Sequence, residues 1–356
     1  MLSLFSLSFP ELQAEITAWG EPAYRARQLW QALYRDLAAS PAEVTTLPKA
    51  LRERLAAGFQ WGALTPAAAV QSSDGQTRKQ LFHLPDGQAI EAVLMGYARR
   101  RTACISTQAG CAMGCVFCAT GQMGFRRHLT AGEIVEQVLW FERELRARDD
   151  RLTNIVVMGM GEPFHNYDAT MKAVDILNDP NGFNFGARRI TLSTVGLVPM
   201  IERFAEERRQ VNLAISLHAA TDELRARLLP VNKRYPLAEV FRAARLYAEK
   251  TRRRVTFEWA LIAGQNDSPE QARALARLAQ GLNCHVNIIP LNPTRGYAGR
   301  ASTRERVAAF KASLESHGLP CTVRIRRGID VDAGCGQLAV RVADDGRRTA
   351  DVPAVR

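Results

Sequence analysis

Cys111-Ala112-Met113-Gly114-Cys115-Val116-Phe117-Cys118 is the stretch from which the rest of this chain is read. Its C-x3-C-x2-C spacing brings three thiolates to one side of a compact loop and supplies no fourth. A closed structural zinc site takes four protein ligands, and an electron-carrier [4Fe–4S] cluster takes four cysteines. Three thiolates on a cubane leave one iron open to a ligand that is not protein. Gly110 and Gly114 let the backbone curl round the sulfurs. Phe117 sets an aromatic side chain beside the third cysteine, and Arg126 and Arg127 add positive charge nearby. The competing reading is a zinc knuckle with His128 as fourth ligand, but the gap from Cys118 to His128 is wider than such motifs use.

Outward from this loop the chain alternates. Seven apolar β runs, beginning near Thr102 and ending near Ile325, are separated by stretches of helical periodicity. Thr130-Ala131-Gly132-Glu133 opens one of these helices as a capping box. Alternation of this kind predicts an α/β fold with a parallel sheet covered by helices. About six βα units favour a partial, TIM-like (β/α)6 barrel. Upstream, residues 1–60 read as a helical accessory domain, with Leu29, Trp30, Leu33 and Tyr34 on one apolar face that suits a core. Residues 61–97 read as a β-meander extension turned at Ser73-Asp74-Gly75 and Pro85-Asp86-Gly87. The barrel is expected over 98–343, followed by a polar, frayed tail over 344–356.

The alternation also places the chemistry. The cysteine loop follows the first strand, and Gly159-Met160-Gly161-Glu162-Pro163 follows the second. Ser193-Thr194 ends the third, Ser216-Leu217-His218 the fourth and Pro290-Leu291-Asn292-Pro293 the sixth. All are C-terminal strand ends, the face on which barrels build active sites.

Composition narrows the partner and the compartment. The 356 residues carry a formal net charge of +11, gathered in runs such as Arg99-Arg100-Arg101, Arg188-Arg189 and Arg252-Arg253-Arg254. Such a field suits a polyanion, RNA or DNA; runs this dispersed fit a solvated surface equally well. Seven cysteines is an odd number, and four crowd into 104–118, which is not the pattern of a secreted disulfide framework. A reducing cytoplasm is the consistent compartment. No apolar stretch reaches membrane-span length. The apolar N-terminus lacks a basic leader region and soon meets Pro10 and Glu11, so no signal peptide is expected.

The cysteine loop resembles the signature of the radical S-adenosylmethionine superfamily. Together with Cys104-Ile105-Ser106-Thr107-Gln108, Cys118-Ala119-Thr120-Gly121, the Gly159–Pro163 turn, Ser216-Leu217-His218-Ala219 and Asp332-Ala333-Gly334-Cys335-Gly336-Gln337-Leu338, it resembles the RlmN/Cfr family of RNA adenosine methyltransferases over nearly the whole chain. The resemblance implies that Cys111, Cys115 and Cys118 hold a [4Fe–4S] cluster, one per chain. It implies that Gly161, Glu162, Ser193, Ser216, Leu217, His218 and Asn292 contact S-adenosylmethionine. Cys335 matches the cysteine that becomes methylated, and Cys104 the second catalytic cysteine. Glu91, thirteen residues before Cys104, falls where the family places a general base. Cys284, Cys321, His83, His165, His285 and His317 match nothing and are read as structural.

Adenine C2 carries no proton acidic enough for a base at neutral pH and is a poor nucleophile, so a carbon radical is the route the family uses. Cys335 takes a methyl from one S-adenosylmethionine by polar displacement. A second is split to a 5′-deoxyadenosyl radical, which draws a hydrogen from that methyl. The methylene radical adds to the base. Proton loss and attack of Cys104 on the Cys335 sulfur release the product and leave a disulfide to be reduced. The implied partners are 23S rRNA, the tRNA adenosine beside the anticodon, and a reductant such as flavodoxin or ferredoxin, with the enzyme a monomer. Two readings compete: a C8-methylating relative with nearly the same motifs, and a non-catalytic Fe–S RNA-binding protein, which would leave Cys335 and the strand-end motifs idle.

Overall fold

A computed structural model describes residues 1–292, 294, 296–324 and 336–339; Cys335 and the tail over 344–356 lie outside the described residues. β1 (Leu2–Ser3) pairs in parallel with β2 (Phe59–Gln60), which closes the N-terminal helices between the two ends of their own segment. In the helix Ala23–Tyr34, the face of Leu29, Trp30, Leu33 and Tyr34 is buried, as its helical spacing predicts.

β3 (Thr65–Gln71), β4 (Thr77–His83) and β5 (Ala89–Tyr97) form the antiparallel meander. It is not a separate layer, because β5 pairs antiparallel with β6 (Arg100–Cys104). The chain then makes a small two-stranded pair, β7 (Gln108–Gly110) with β8 (Phe125–His128), whose connection carries the three cysteines. Next come β9 (Asn154–Val157), β10 (Ile190–Thr194), β11 (Asn212–Ser216), β12 (Val255–Leu261), β13 (Cys284–Pro290) and β14 (Cys321–Val323), with helices between successive strands. One ten-stranded sheet results, in the order β14-β13-β12-β11-β10-β9-β6-β5-β4-β3. From β6 to β14 every pairing is parallel. Among the described residues β14 pairs with β13 alone, so the sheet does not close and the barrel is partial.

Continuity of the meander with the barrel fixes a register that no local pattern contains. Lys79 stands opposite Val93, Val93 opposite Cys104, and Cys104 opposite Val156. Side chains alternate with period two along a strand. Glu91, two residues before Val93, therefore shares a sheet face with Lys79 and Cys104. Thirteen residues of sequence become one step along that face.

The helix Ala131–Arg146 carries the expected capping box: Glu133 N–H donates to Thr130 Oγ1 (3.2 Å), and Thr130 N–H donates to Glu133 Oε2 (2.8 Å). On its inner face the fully buried Gln137 amide accepts from Ser106 N–H (2.8 Å) and donates to Ser106 O (2.9 Å), holding the strand end from which the cysteine loop departs. Among the described residues no helix is long and apolar enough to cross a membrane.

Candidate active site

The C-terminal ends of β9, β10 and β11 and the cysteine loop enclose a cavity of about 230 Å3. Cys111, Cys115, Cys118, Gly161, Glu162, Ser193, Ser216 and His218 all line it. Two other residues that the resemblance makes cofactor contacts do not. The Leu217 side chain, one residue past β11, is fully buried in the core. Asn292 is exposed, beyond the lining. Larger hollows exist, of about 460 Å3 beside Trp30 and Asp168 and about 440 Å3 among Arg252, Arg253 and Arg254. Neither holds a cysteine, so chemistry rather than size marks the site. The second lies at the N-terminal ends of β10–β12, opposite the pocket, which is where the runs at 188–189 and 252–254 fall.

Burial, reinforced by Glu162 and Cys118, pushes the Cys111 thiol up to about 12, and burial with its two partner cysteines pushes Cys115 well above the usual thiol range. Without a cation these groups hold their protons; bound iron would be the charge that makes them thiolates. Among the described residues no three His, Cys, Asp or Glu side chains gather closely enough for a single metal ion.

His218 is the histidine of the cavity, and its ring cannot supply the fourth ligand in this arrangement. The backbone N–H of Ala260 donates to Nδ1 (2.8 Å), so the ring proton sits on Nε2 and no lone pair faces the cavity. Burial, with help from the Arg225 cation, drops its pKa to about 3 and keeps it neutral. Phe117 packs edge-on against it, ring centroids 4.9 Å apart. The donor set therefore fits a three-thiolate [4Fe–4S] cluster with one open iron. His128, the alternative zinc ligand, is not among the lining residues.

Gly161 (φ +99°) brings its backbone against Gln108; a Cβ there would lie 2.5 Å from Gln108 Cβ, so glycine is required. The next residue, Glu162, is 2% exposed and accepts from the N–H groups of Phe164 (3.0 Å) and Val195 (2.9 Å). Burial still raises it to about 7, so a ligand ammonium in the cavity would restore its charge. Gln108 Oε1 accepts Glu162 N–H (2.8 Å), which leaves the Gln108 amide N–H groups facing Nδ1 of His128 and of His165, each at 3.0 Å. Both rings then carry their protons on Nε2.

Several functional side chains carry no motif. Glu258, in the middle of the apolar β12, lines the cavity; burial raises its pKa, while Arg324 and the Asn287 amide oppose that shift. Arg225 is fully buried, and its five hydrogen bonds reach Leu217 O, Ser216 O, Val195 O, Tyr235 O and Asn232 Oδ1. It ties the ends of β10 and β11 together beneath Cys115 at the cost of desolvation, which lowers its pKa to about 10. Only its neighbourhood, not its place in an Asp-Glu-Leu-Arg helix, signals this role.

Ser106 joins the pocket to the meander face. It accepts Met160 N–H (2.8 Å) and donates to the Glu91 carbonyl (2.5 Å). Cys104 and Glu91 thus sit on the sheet face beside the cavity rather than in its lining.

An open α/β barrel whose strand ends carry three thiols, two of them buried, and an acidic, glycine-lined cavity defines the radical S-adenosylmethionine class. Radical SAM superfamily sequences match residues 105–276, and the ribosomal RNA large subunit methyltransferase N-terminal domain matches residues 2–60. The chain belongs to the RlmN family of radical SAM RNA methyltransferases. It is 53% identical to dual-specificity RNA methyltransferase RlmN 1 of Myxococcus xanthus, covering 99% of this chain and 98% of that one. It is 52% identical to a probable dual-specificity RNA methyltransferase RlmN of Chloroflexus aurantiacus, covering 95% and 93%. Its fold matches the crystal structure of a radical SAM methyltransferase from Sphaerobacter thermophilus with a TM-score of 0.93 at 53% identity, over 95% and 99% of the two chains.

Proposed function

We propose that this chain methylates carbon 2 of an adenosine in 23S ribosomal RNA, and of the adenosine beside the anticodon in certain tRNAs, by way of a methyl carried on Cys335. The observation that carries this reading is the junction of two sites. A cavity that draws three cysteines and no fourth from the described residues adjoins a sheet face bearing Cys104 and Glu91.

Cys111, Cys115 and Cys118 would hold one cluster per chain. Gly161 and Glu162 would receive the amino group of the methionine moiety, and Ser193, Ser216, His218, the Leu217 backbone and Asn292 the remainder of the cofactor. When bound, the cluster and S-adenosylmethionine supply the carbon radical that adenine C2 requires. Two S-adenosylmethionine molecules are consumed per turnover, because Cys335 must first be methylated as a nucleophile. Glu91 accepts the proton lost from C2 at a carboxylate oxygen. Cys104 attacks the Cys335 sulfur, frees the methylated base and leaves a disulfide that an external reductant, a flavodoxin or ferredoxin, returns to thiols. The working unit is a cytoplasmic monomer.

Nucleoside digestion and mass spectrometry of RNA treated anaerobically test the reading. Expected are 2-methyladenosine together with S-adenosylhomocysteine and 5′-deoxyadenosine. The 8-methyl isomer, or a product without 5′-deoxyadenosine, overturns it.

A further inference from the structure

Glu91 does more in this structure than stand beside Cys104. Its Oε2 accepts the backbone N–H of Gly336 (3.0 Å) and its Oε1 that of Ala339 (2.7 Å). The Gly336 N–H belongs to the peptide unit that joins Gly336 to Cys335, so the carboxylate grips the chain at that bond. Lys79 Nζ lies 3.0 Å from the same Oε2, and the two side chains are 0% and 2% exposed. A carboxylate that deep needs both a cation and hydrogen bonds to stay ionised. The meander supplies the cation from β4 and the carboxylate from β5, on one sheet face.

The segment over 336–339 is fixed on two further sides. Leu338 and Ala339 are buried against Leu81, which shares the face of Lys79. Gly336 (φ +83°) passes the wall of the cofactor cavity so closely that a Cβ would lie 2.6 Å from Thr120 Oγ1 and 2.9 Å from Thr120 N. Thr120 lines that cavity. The chain after Cys335 therefore bridges the meander and the cavity wall, held by the Glu91 carboxylate that Lys79 pairs.

We infer that Lys79 and Glu91 form a buried charge clamp that seats the segment following Cys335 against the cavity wall, with Lys79 a positioning residue for methyl transfer. The inference rests on the reading of Cys335 as the methyl carrier. Glu91 retains a lone pair on Oε1 for substrate, so clamping and proton acceptance share one carboxylate.

Hydrogen exchange of the full-length, cluster-loaded protein tests the clamp, read on the peptide spanning 336–339. In Lys79→Met and in Glu91→Gln, exchange there is expected to quicken about tenfold or more, the loss of a charge-assisted hydrogen bond. The amides of β12 and β13 should keep their wild-type rates. In Lys79→Met, kcat for RNA methylation falls about tenfold with KM for RNA unchanged, since the clamp touches the carrier segment. Glu91→Gln covers the case in which Lys79→Met does not fold. Unaltered exchange over 336–339 in Glu91→Gln overturns the clamp, as does a Lys79→Met enzyme changed only in KM. Failure of the methyltransferase reading looks different: the wild-type protein itself yields no methylated RNA.

Discussion

The two halves of the ten-stranded sheet contribute to the site in opposite ways. In the parallel half, β9, β10 and β11 deliver Glu162, Ser193, Ser216 and His218 from their C-terminal ends, where the chain leaves the sheet and backbone groups are free to turn. In the antiparallel half, β4, β5 and β6 deliver Lys79, Glu91 and Cys104 from a strand face, locked in a ladder. Strand ends can be lengthened or re-aimed without disturbing the sheet, which suits a pocket built round a cofactor. A strand face holds its side chains in fixed register, which suits groups that must keep set distances from one another. The cysteine-lined cavity and the face of Lys79, Glu91 and Cys104 are thus built on one sheet by different rules, joined at Ser106.

Substitutions on the parallel side should abolish radical formation, and those on the antiparallel side should leave it intact. Cys115→Ala, in the cavity, is expected to give protein that retains no stable [4Fe–4S] absorbance and yields no detectable 5′-deoxyadenosine. Cys104→Ala, on the strand face, should still load its cluster and split S-adenosylmethionine. It should stop after one addition, with protein–RNA adduct accumulating to about one per chain on denaturing gels. Equal loss of 5′-deoxyadenosine in both variants would erase the distinction.

Arg225 sharpens the comparison from the structural side. Its removal as Arg225→Met strands five acceptors, three at the ends of β10 and β11 and two at Asn232 and Tyr235, and should cost about 3 kcal/mol in urea unfolding. The meander amides should remain protected until global unfolding.

A further expected effect is one of pH. Glu162 is raised from its ordinary 4.5 to about 7 by burial. The folded state then binds the proton more tightly than the unfolded one, so stability from this group is complete below about 4.5 and is lost as pH rises through 7. Glu136, also raised to about 7 by burial, acts in the same window. In cofactor-free protein each should lower stability by up to about 3 kcal/mol between pH 4.5 and 7. Glu162→Gln should remove about half of that slope in thermal melts. An unchanged slope would show that Glu162 is ionised in the empty pocket.

Much of this was legible in the sequence because parallel alternation carries its own address system. Once strands and helices alternate, a polar motif after a strand lies on the C-terminal face, and the cysteine loop, Gly161, Glu162, Ser193, Ser216 and His218 meet there. The Thr130/Glu133 capping box and the buried face of Leu29, Trp30, Leu33 and Tyr34 are local signals of the same directness. Glu258 escapes notice because it sits inside an apolar strand whose two faces differ, and Arg225 because its partners are carbonyls from three distant segments. Pairing of β5 with β6 is invisible for the same reason: hydrogen-bond register between strands leaves no mark in either one. The grip of Glu91 on Gly336 spans 245 residues and follows only from that register.

The most direct test of the account is the spectrum of the reduced cluster, by electron paramagnetic resonance, before and after S-adenosylmethionine is added to anaerobically reconstituted protein. Three thiolates and a His218 ring that offers only N–H predict an accessible iron, hence a clear change in the signal and release of 5′-deoxyadenosine. A signal indifferent to the cofactor, from irons already closed off by four side chains, would contradict it.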